Sequence, residues 1–136
     1  MLPYILLGDN NLKDCASFEQ ELEKQVAYAA VKTVEDGEAL LTFLVGRSWK
    51  ELPSMILINY DLPVMKASAV LLELLMDPRY ADIPKLIWGQ SGDCEEVAKC
   101  KELGATLYLN KPAAASEFQG VVRQIDTILK SELSII

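Results

Sequence analysis

Residues 4–11 of the chain read YILLGDNN: four large apolar residues lead into a glycine and three polar residues. This pattern is typical of a buried strand that ends in a short polar turn. Further short apolar runs follow at residues 26–31, 54–58, 85–88 and 106–109. Because longer stretches with helical spacing separate the five runs, the sequence predicts strands that alternate with crossover helices in one parallel sheet.

The helical stretches carry recognisable start and stop signals. The first begins behind Asn11, whose side chain suits a helix cap, and the third stops before Pro78, because proline cannot continue a helix. The fourth is closed by Gly104, and the fifth has an apolar stripe over residues 118–129. Five strand–helix units in this order predict a doubly wound α/β fold.

Length and composition agree with one folded domain over residues 1–136, with its core at about residues 3–132. The chain is 51% hydrophobic and 24% charged, which is enough to bury a core and still present a polar surface. The net charge of −7 repels phosphate backbones and anionic lipid. We therefore expect neither nucleic acid nor a membrane as a partner.

Two residue types restrict the chemistry further. The chain has no histidine, which excludes a histidine base, a phosphohistidine relay and imidazole metal sites. Its three cysteines form no CxxC pair, so neither a disulfide framework nor a zinc site is expected. The apolar stretch at residues 1–7 is too short for a signal peptide or a membrane span. These features together predict a cytoplasmic protein.

In a doubly wound sheet the ligand site lies at the carboxyl ends of the strands. Four short segments of this chain should meet there. They are the residues that follow the first, third, fourth and fifth runs: Gly8, Asp9, Asn10 and Asn11; Asn59, Tyr60 and Asp61; Gly89, Gln90 and Ser91; and Asn110, Lys111 and Pro112.

These segments resemble the receiver domain of two-component response regulators over essentially the whole chain. The resemblance rests on LLGDNN at residues 6–11, LINYDLP at residues 57–63, Ile83-Pro84 before the fourth run, and LNKP at residues 109–112. It implies a flavodoxin-like (βα)5 domain with strand order 2-1-3-4-5. It also implies a role in phosphorelay signal transduction.

The family's chemistry requires a particular set of charges. Two acids after the first strand and an acceptor aspartate after the third hold Mg²⁺, and the acceptor carboxylate attacks phosphorus. A hydroxyl residue after the fourth strand and a lysine after the fifth contact the phosphoryl group. A net negative site of this kind attracts a hard divalent cation.

Most of these positions differ here. Asn59 stands at the acceptor position, Asn10 replaces the second acid and Gly89 replaces the hydroxyl residue. Asp9 and Lys111 remain, one negative and one positive charge that sum to zero. We therefore expect a degenerate phosphoacceptor pocket without catalytic residues or enzyme activity. No cofactor is expected, and Mg²⁺ would bind weakly at best, with Asp9 as its candidate ligand.

Three further residues take their expected roles from the resemblance. Tyr108 matches the family's aromatic switch, and Gly89 should leave a gap beside its ring. Pro112 matches a proline that follows a cis peptide bond and fixes the loop after the last strand. Asp61 matches a position at the site rim.

Three functional hypotheses follow. The first is a receiver-like module that has lost phosphoacceptance and binds a histidine kinase or output protein, or a second copy of itself, through the fourth helix, fifth strand and fifth helix. The alternative is an active phosphoacceptor that uses another acid such as Asp61. The third is a small-molecule or nucleotide site, against which stands the absence of any glycine-rich phosphate loop.

Overall fold

The computed structural model describes residues 2–90 and 94–133, which contain a five-stranded parallel sheet. Its order is β2-β1-β3-β4-β5, as the resemblance implies. The strands are Tyr4–Gly8 (β1), Ala30–Val34 (β2), Met55–Asn59 (β3), Lys85–Gly89 (β4) and Leu107–Asn110 (β5). The flavodoxin-like fold predicted from the sequence is therefore confirmed.

Five α-helices cover both faces of the sheet, as expected of a parallel sheet whose strands are buried. They are Leu12–Gln25 (α1), Gly37–Val45 (α2), Ala67–Leu75 (α3), Cys94–Glu102 (α4) and Phe118–Glu132 (α5). Helices α1 and α5 share one apolar core with the sheet, and α2, α3 and α4 share the other. The described residues contain no helix that could span a membrane.

The second strand lies further along the chain than the sequence predicts. The apolar run at residues 26–31 predicts a strand, but α1 continues to Gln25, and the backbone N–H of Val26 closes it by donating to the Leu22 carbonyl at 2.7 Å. The side chain of Val26 is fully buried at the helix end. Val26 is therefore apolar because it packs into the core at the end of α1, and the strand begins only at Ala30.

The register of the sheet brings the carboxyl ends of the strands together. Gly8 pairs with Ile58, Asn59 with Trp88, and Gly89 with Asn110. Since these pairs end their strands at one edge of the sheet, the segments that follow β1, β3, β4 and β5 meet there.

Candidate functional site

Asp9 lies at the centre of this edge, directly after β1, and is fully buried. Its backbone N–H donates to the Val34 carbonyl at 3.0 Å, which fixes the turn. Its Oδ1 accepts the backbone N–H of Asn11 at 2.9 Å. Asn59, itself only 8% exposed, donates its Nδ2 to the same oxygen at 3.4 Å. The amide at the end of β3 is thus a donor to a carboxylate.

Lys111 follows β5 and is held by two carboxylates. Its Nζ lies 2.8 Å from Oδ2 of Asp9 and 2.8 Å from Oδ2 of Asp14. Its backbone N–H donates to the Gly89 carbonyl at 2.7 Å, which fixes the start of the loop. Burial alone would lower the pKa of Lys111, but the hydrogen bonds and charges of the two carboxylates outweigh it and raise that pKa. The amine therefore stays a charged ammonium.

Asp14 is the site residue that the sequence analysis missed. It lies in the first turn of α1, three residues after the cap Asn11, whose side chain accepts the backbone N–H of Asp14 at 3.0 Å. With Asp14 included, the cluster has two carboxylates and one ammonium, a net charge of −1 rather than zero. The chain carries only a partial signal, because an acid three residues after a helix cap can point back toward the preceding turn, but its spacing does not show that it reaches Lys111.

Cys15, in the first turns of α1, lies next to the cluster of Asp9, Asp14 and Lys111. Its Sγ donates to the backbone carbonyl of Asp9 at 3.6 Å, and the residue is buried. Burial raises the pKa of this thiol to about 11, and the nearby Asp9 charge adds to the rise. The thiol is therefore protonated and unreactive near neutral pH.

Two tyrosines pack against Gly89, in the space that a side chain at this position would occupy. A Cβ placed on Gly89 would lie 2.6 Å from Oη of Tyr108 and 3.1 Å from Cβ of Tyr60. The two tyrosine rings are 6.3 Å apart between centroids. The gap expected beside Tyr108 is therefore absent at this point, because the phenol end of Tyr108 fills it.

The remaining candidate residues lie at the rim or outside the described part of the chain. Asn10 and Asp61 are both exposed. Ser91 lies outside the described residues. The structure thus brings together Asp9, Asn59 and Lys111 and places Asn10 and Asp61 beside them in solvent.

The resemblance implies a cis peptide bond before Pro112, and this prediction is wrong. The described residues contain no cis peptide bond, so the bond between Lys111 and Pro112 is trans. Trans is the favoured isomer of a proline bond by roughly 0.5–1 kcal/mol. The ion pairs of Lys111 and its backbone bond to Gly89 hold the start of the loop with the trans isomer in place.

The cluster does not fit the Mg²⁺ that the resemblance implies. One oxygen of Asp9 and one of Asp14 already face the Lys111 ammonium, and the other oxygen of Asp9 accepts from Asn11 and Asn59. The ammonium is itself a cation, so it repels a second one. Among the described residues, no group of three or more His, Cys, Asp or Glu is placed to hold a metal ion.

The five parallel strands in the order β2-β1-β3-β4-β5 define a flavodoxin-like fold, and solved structures of response regulators share this fold. Among solved structures, the chain is 24% identical to the phosphorylated cyanobacterial phytochrome response regulator RcpA, with a TM-score of 0.85 and 96% of each chain covered. It is 24% identical to the Mn²⁺-bound form of response regulator Rcp1, with a TM-score of 0.81 and 92% of each chain covered.

A chemotaxis regulator gives the same picture. CheY4 of Vibrio cholerae is 20% identical, with a TM-score of 0.75 over 92% of this chain and 99% of that one. No protein-family model and no curated protein sequence matches the chain. Because similarity at this level establishes the fold alone, the function has to be argued from the residues of the site.

Proposed function

We propose that this chain is a receiver-like module of two-component phosphorelay signalling that accepts no phosphoryl group and acts by binding other proteins. The observation that carries the proposal is the buried Asn59 amide at the end of β3, which donates to Asp9. An acyl phosphate forms only on a carboxylate, and an amide is neither charged nor able to give that product. The module is therefore a binding protein without enzyme activity, and its expected location is the cytoplasm.

The electrostatics of the cluster also oppose a phosphoryl group. For its ammonium to meet a phosphate, Lys111 would have to leave two carboxylates that each lie 2.8 Å away. The two freed carboxylates would then face an anion across a few ångströms. Lys111 is consequently a structural partner of Asp9 and Asp14.

The position of Tyr108 favours a single conformation of the site, which we call the resident conformation. In the receiver domains that this sequence resembles, the aromatic residue at this position turns inward when a hydroxyl residue moves toward the phosphoryl group. Gly89 has no hydroxyl to move, and the phenol end of Tyr108 already occupies the space beside it. A partner therefore recognises the resident conformation, and binding should not depend on a phosphodonor or on Mg²⁺.

The surface formed by α4, β5 and α5 is the proposed contact face for a kinase, an output protein or a second copy. A groove of about 770 Å³ lies on this face, between the segment after β5 and α5, and Lys111, Val121 and Gln124 line it. Helix α4 adds exposed charges of both signs, including Glu95 and Lys101. Exposed charges of both signs suit the polar rim of a protein interface.

Intact-mass measurement after incubation with acetyl phosphate and Mg²⁺ tests the loss of phosphoacceptance. We expect no mass change in the wild type, with an active receiver in the same mixture as the positive control. Gain of one phosphoryl group by the wild type would contradict the proposal. If Asp61→Asn then abolished that gain, Asp61 would be the acceptor and the alternative hypothesis would replace ours.

Analytical ultracentrifugation or partner capture tests the contact face. Tyr108→Ala and Lys101→Glu should weaken association, whereas Lys24→Glu, an exposed charge reversal on α1, should not. Acetyl phosphate should change none of these results. Association that fails only in the α1 variant would place the contact on α1 and contradict the proposed face.

A further inference from the structure

The outer edge of β2 has features of a binding site that the proposed function does not use. Strand β2 ends the sheet, with β1 on one side and no described strand on the other. Ala30 donates its N–H to the Pro3 carbonyl at 2.9 Å, and the Val34 carbonyl accepts from Asp9 at 3.0 Å. Since successive residues of a strand point their peptide groups to opposite sides, Val31 and Thr33 present theirs outward.

A cavity of about 470 Å³ adjoins this edge. Its apolar wall is an aromatic pair, Tyr4 and Phe43, whose ring centroids are 6.1 Å apart at 81°. Leu2, 60% exposed, extends the apolar lining. A side chain of an added strand could enter this cavity while its backbone pairs with Val31 and Thr33.

Two cations stand over the same aromatic ring. The guanidinium carbon of Arg47 lies 4.4 Å from the Phe43 ring centroid, and Nζ of Lys32 lies 5.9 Å from it. Nε of Arg47 is buried and has no hydrogen-bond partner among the described residues. The one acid that lines the cavity, Glu51, already accepts hydrogen bonds from the N–H and Oγ of Ser48, at 3.1 and 2.8 Å.

The charge of this edge selects the kind of partner. The chain as a whole carries −7, yet Lys32 and Arg47 outnumber Glu51 among the charged residues that line this cavity and leave it with a net charge of +1. Two copies that met edge to edge would bring these cations together, so self-pairing is disfavoured. We propose that the β2 edge and its cavity bind an extended acidic segment of a partner protein, which adds as a sixth strand and directs a carboxylate to Arg47 and Lys32.

Selection from a phage-displayed library of random nine-residue peptides tests the proposal. We expect enriched peptides to alternate apolar and acidic residues. Lys32→Glu, at an exposed position where folding is not at risk, and Arg47→Glu should each weaken capture by about tenfold or more, the effect of losing one charge-assisted hydrogen bond. Lys24→Glu is the matched control and should bind normally.

Amide exchange measured by NMR with an enriched synthetic peptide locates the contact. The N–H groups of Val31 and Thr33 should gain protection, whereas that of Lys32, which faces β1, should not change. No enrichment, enrichment without acidic residues, or protection confined to α4 and α5 would each overturn the proposal. Concentration-dependent self-association through β2 would also overturn it, in favour of a second copy.

Discussion

Replacing Lys111 by methionine tests whether the buried charge cluster stabilises the fold. The side chain of Lys111 is 4% exposed, that of Asp9 is 0% exposed and that of Asp14 is 16% exposed. Methionine keeps most of the length and the apolar stem, so the change removes the ammonium with little loss of packing. Two carboxylates are then left without their common cation.

The expected cost is large because one partner of a buried ion pair is removed. Such a change costs about 3–5 kcal/mol. For a domain of this size each kcal/mol lowers the melting temperature by roughly 3–5 °C, so the whole effect is roughly 9–25 °C. The matched control is Lys130→Met, which removes an i,i+4 pair with Asp126 at 3.2 Å whose lysine side chain is 49% exposed. It should cost about 0.3–0.5 kcal/mol, because Asp126 keeps its hydrogen bond from Tyr28.

Urea unfolding followed by far-ultraviolet circular dichroism measures the difference. Tryptophan fluorescence is a poorer probe, because Nζ of Lys111 lies 5.3 Å from the Trp88 ring and its loss alters the emission directly. Adding Asp9→Asn to Lys111→Met should recover part of the lost stability, since it removes a buried unpaired charge. A Lys111→Met variant as stable as Lys130→Met would refute the cluster as a stabilising element.

Three further outcomes are expected. The pKa of Lys111 is raised in the folded state. The charged lysine therefore stabilises the fold fully below the ordinary lysine pKa of 10.5, and this contribution is lost as pH rises through the folded pKa. The urea midpoints of the wild type and Lys111→Met should converge at alkaline pH. Gly89→Ala should turn the ring of Tyr108 outward at a cost of about 1–3 kcal/mol, seen as lost ring contacts to residue 89 in NMR spectra. Iodoacetamide near neutral pH should modify the exposed Cys94 before the buried Cys15, whose thiol has a pKa of about 11, as peptide mass mapping would show.

Four of the five strands could be predicted from the sequence to within one residue. Strands β3 and β4 are buried along their whole length, so their residues form short continuous apolar runs. Strand β2 lies at the sheet edge, and its residues are exposed or half-buried rather than fully buried. The more apolar run that the sequence shows begins at Val26, which packs at the end of α1 and is not part of the strand. Hydrophobicity alone cannot separate an apolar helix end from an apolar strand.

The location of the site was predictable, but its internal contacts were not. Topology places the residues after β1, β3, β4 and β5 at one edge, and this brought Asp9, Asn59 and Lys111 together. The reach of Asp14 depends on how the Asn11 cap orients the first turn of α1, which spacing along the chain does not reveal. The position of Tyr108 depends on a missing side chain at Gly89, so it is a packing result.

Under the proposed function, the energetics of the cluster determine which signals the module can receive. A ligand shifts a two-state equilibrium only by its difference in affinity for the two states, and a shift from 1:99 to 99:1 needs about 5.5 kcal/mol. Any state in which Lys111 leaves Asp9 and Asp14 is raised by roughly 3–5 kcal/mol, the cost of breaking a buried pair. A weakly bound anion repelled by a net charge of −1 cannot supply this difference, whereas a protein interface can. The module's output should therefore follow the concentration of its partner rather than the phosphorylation state of the cell.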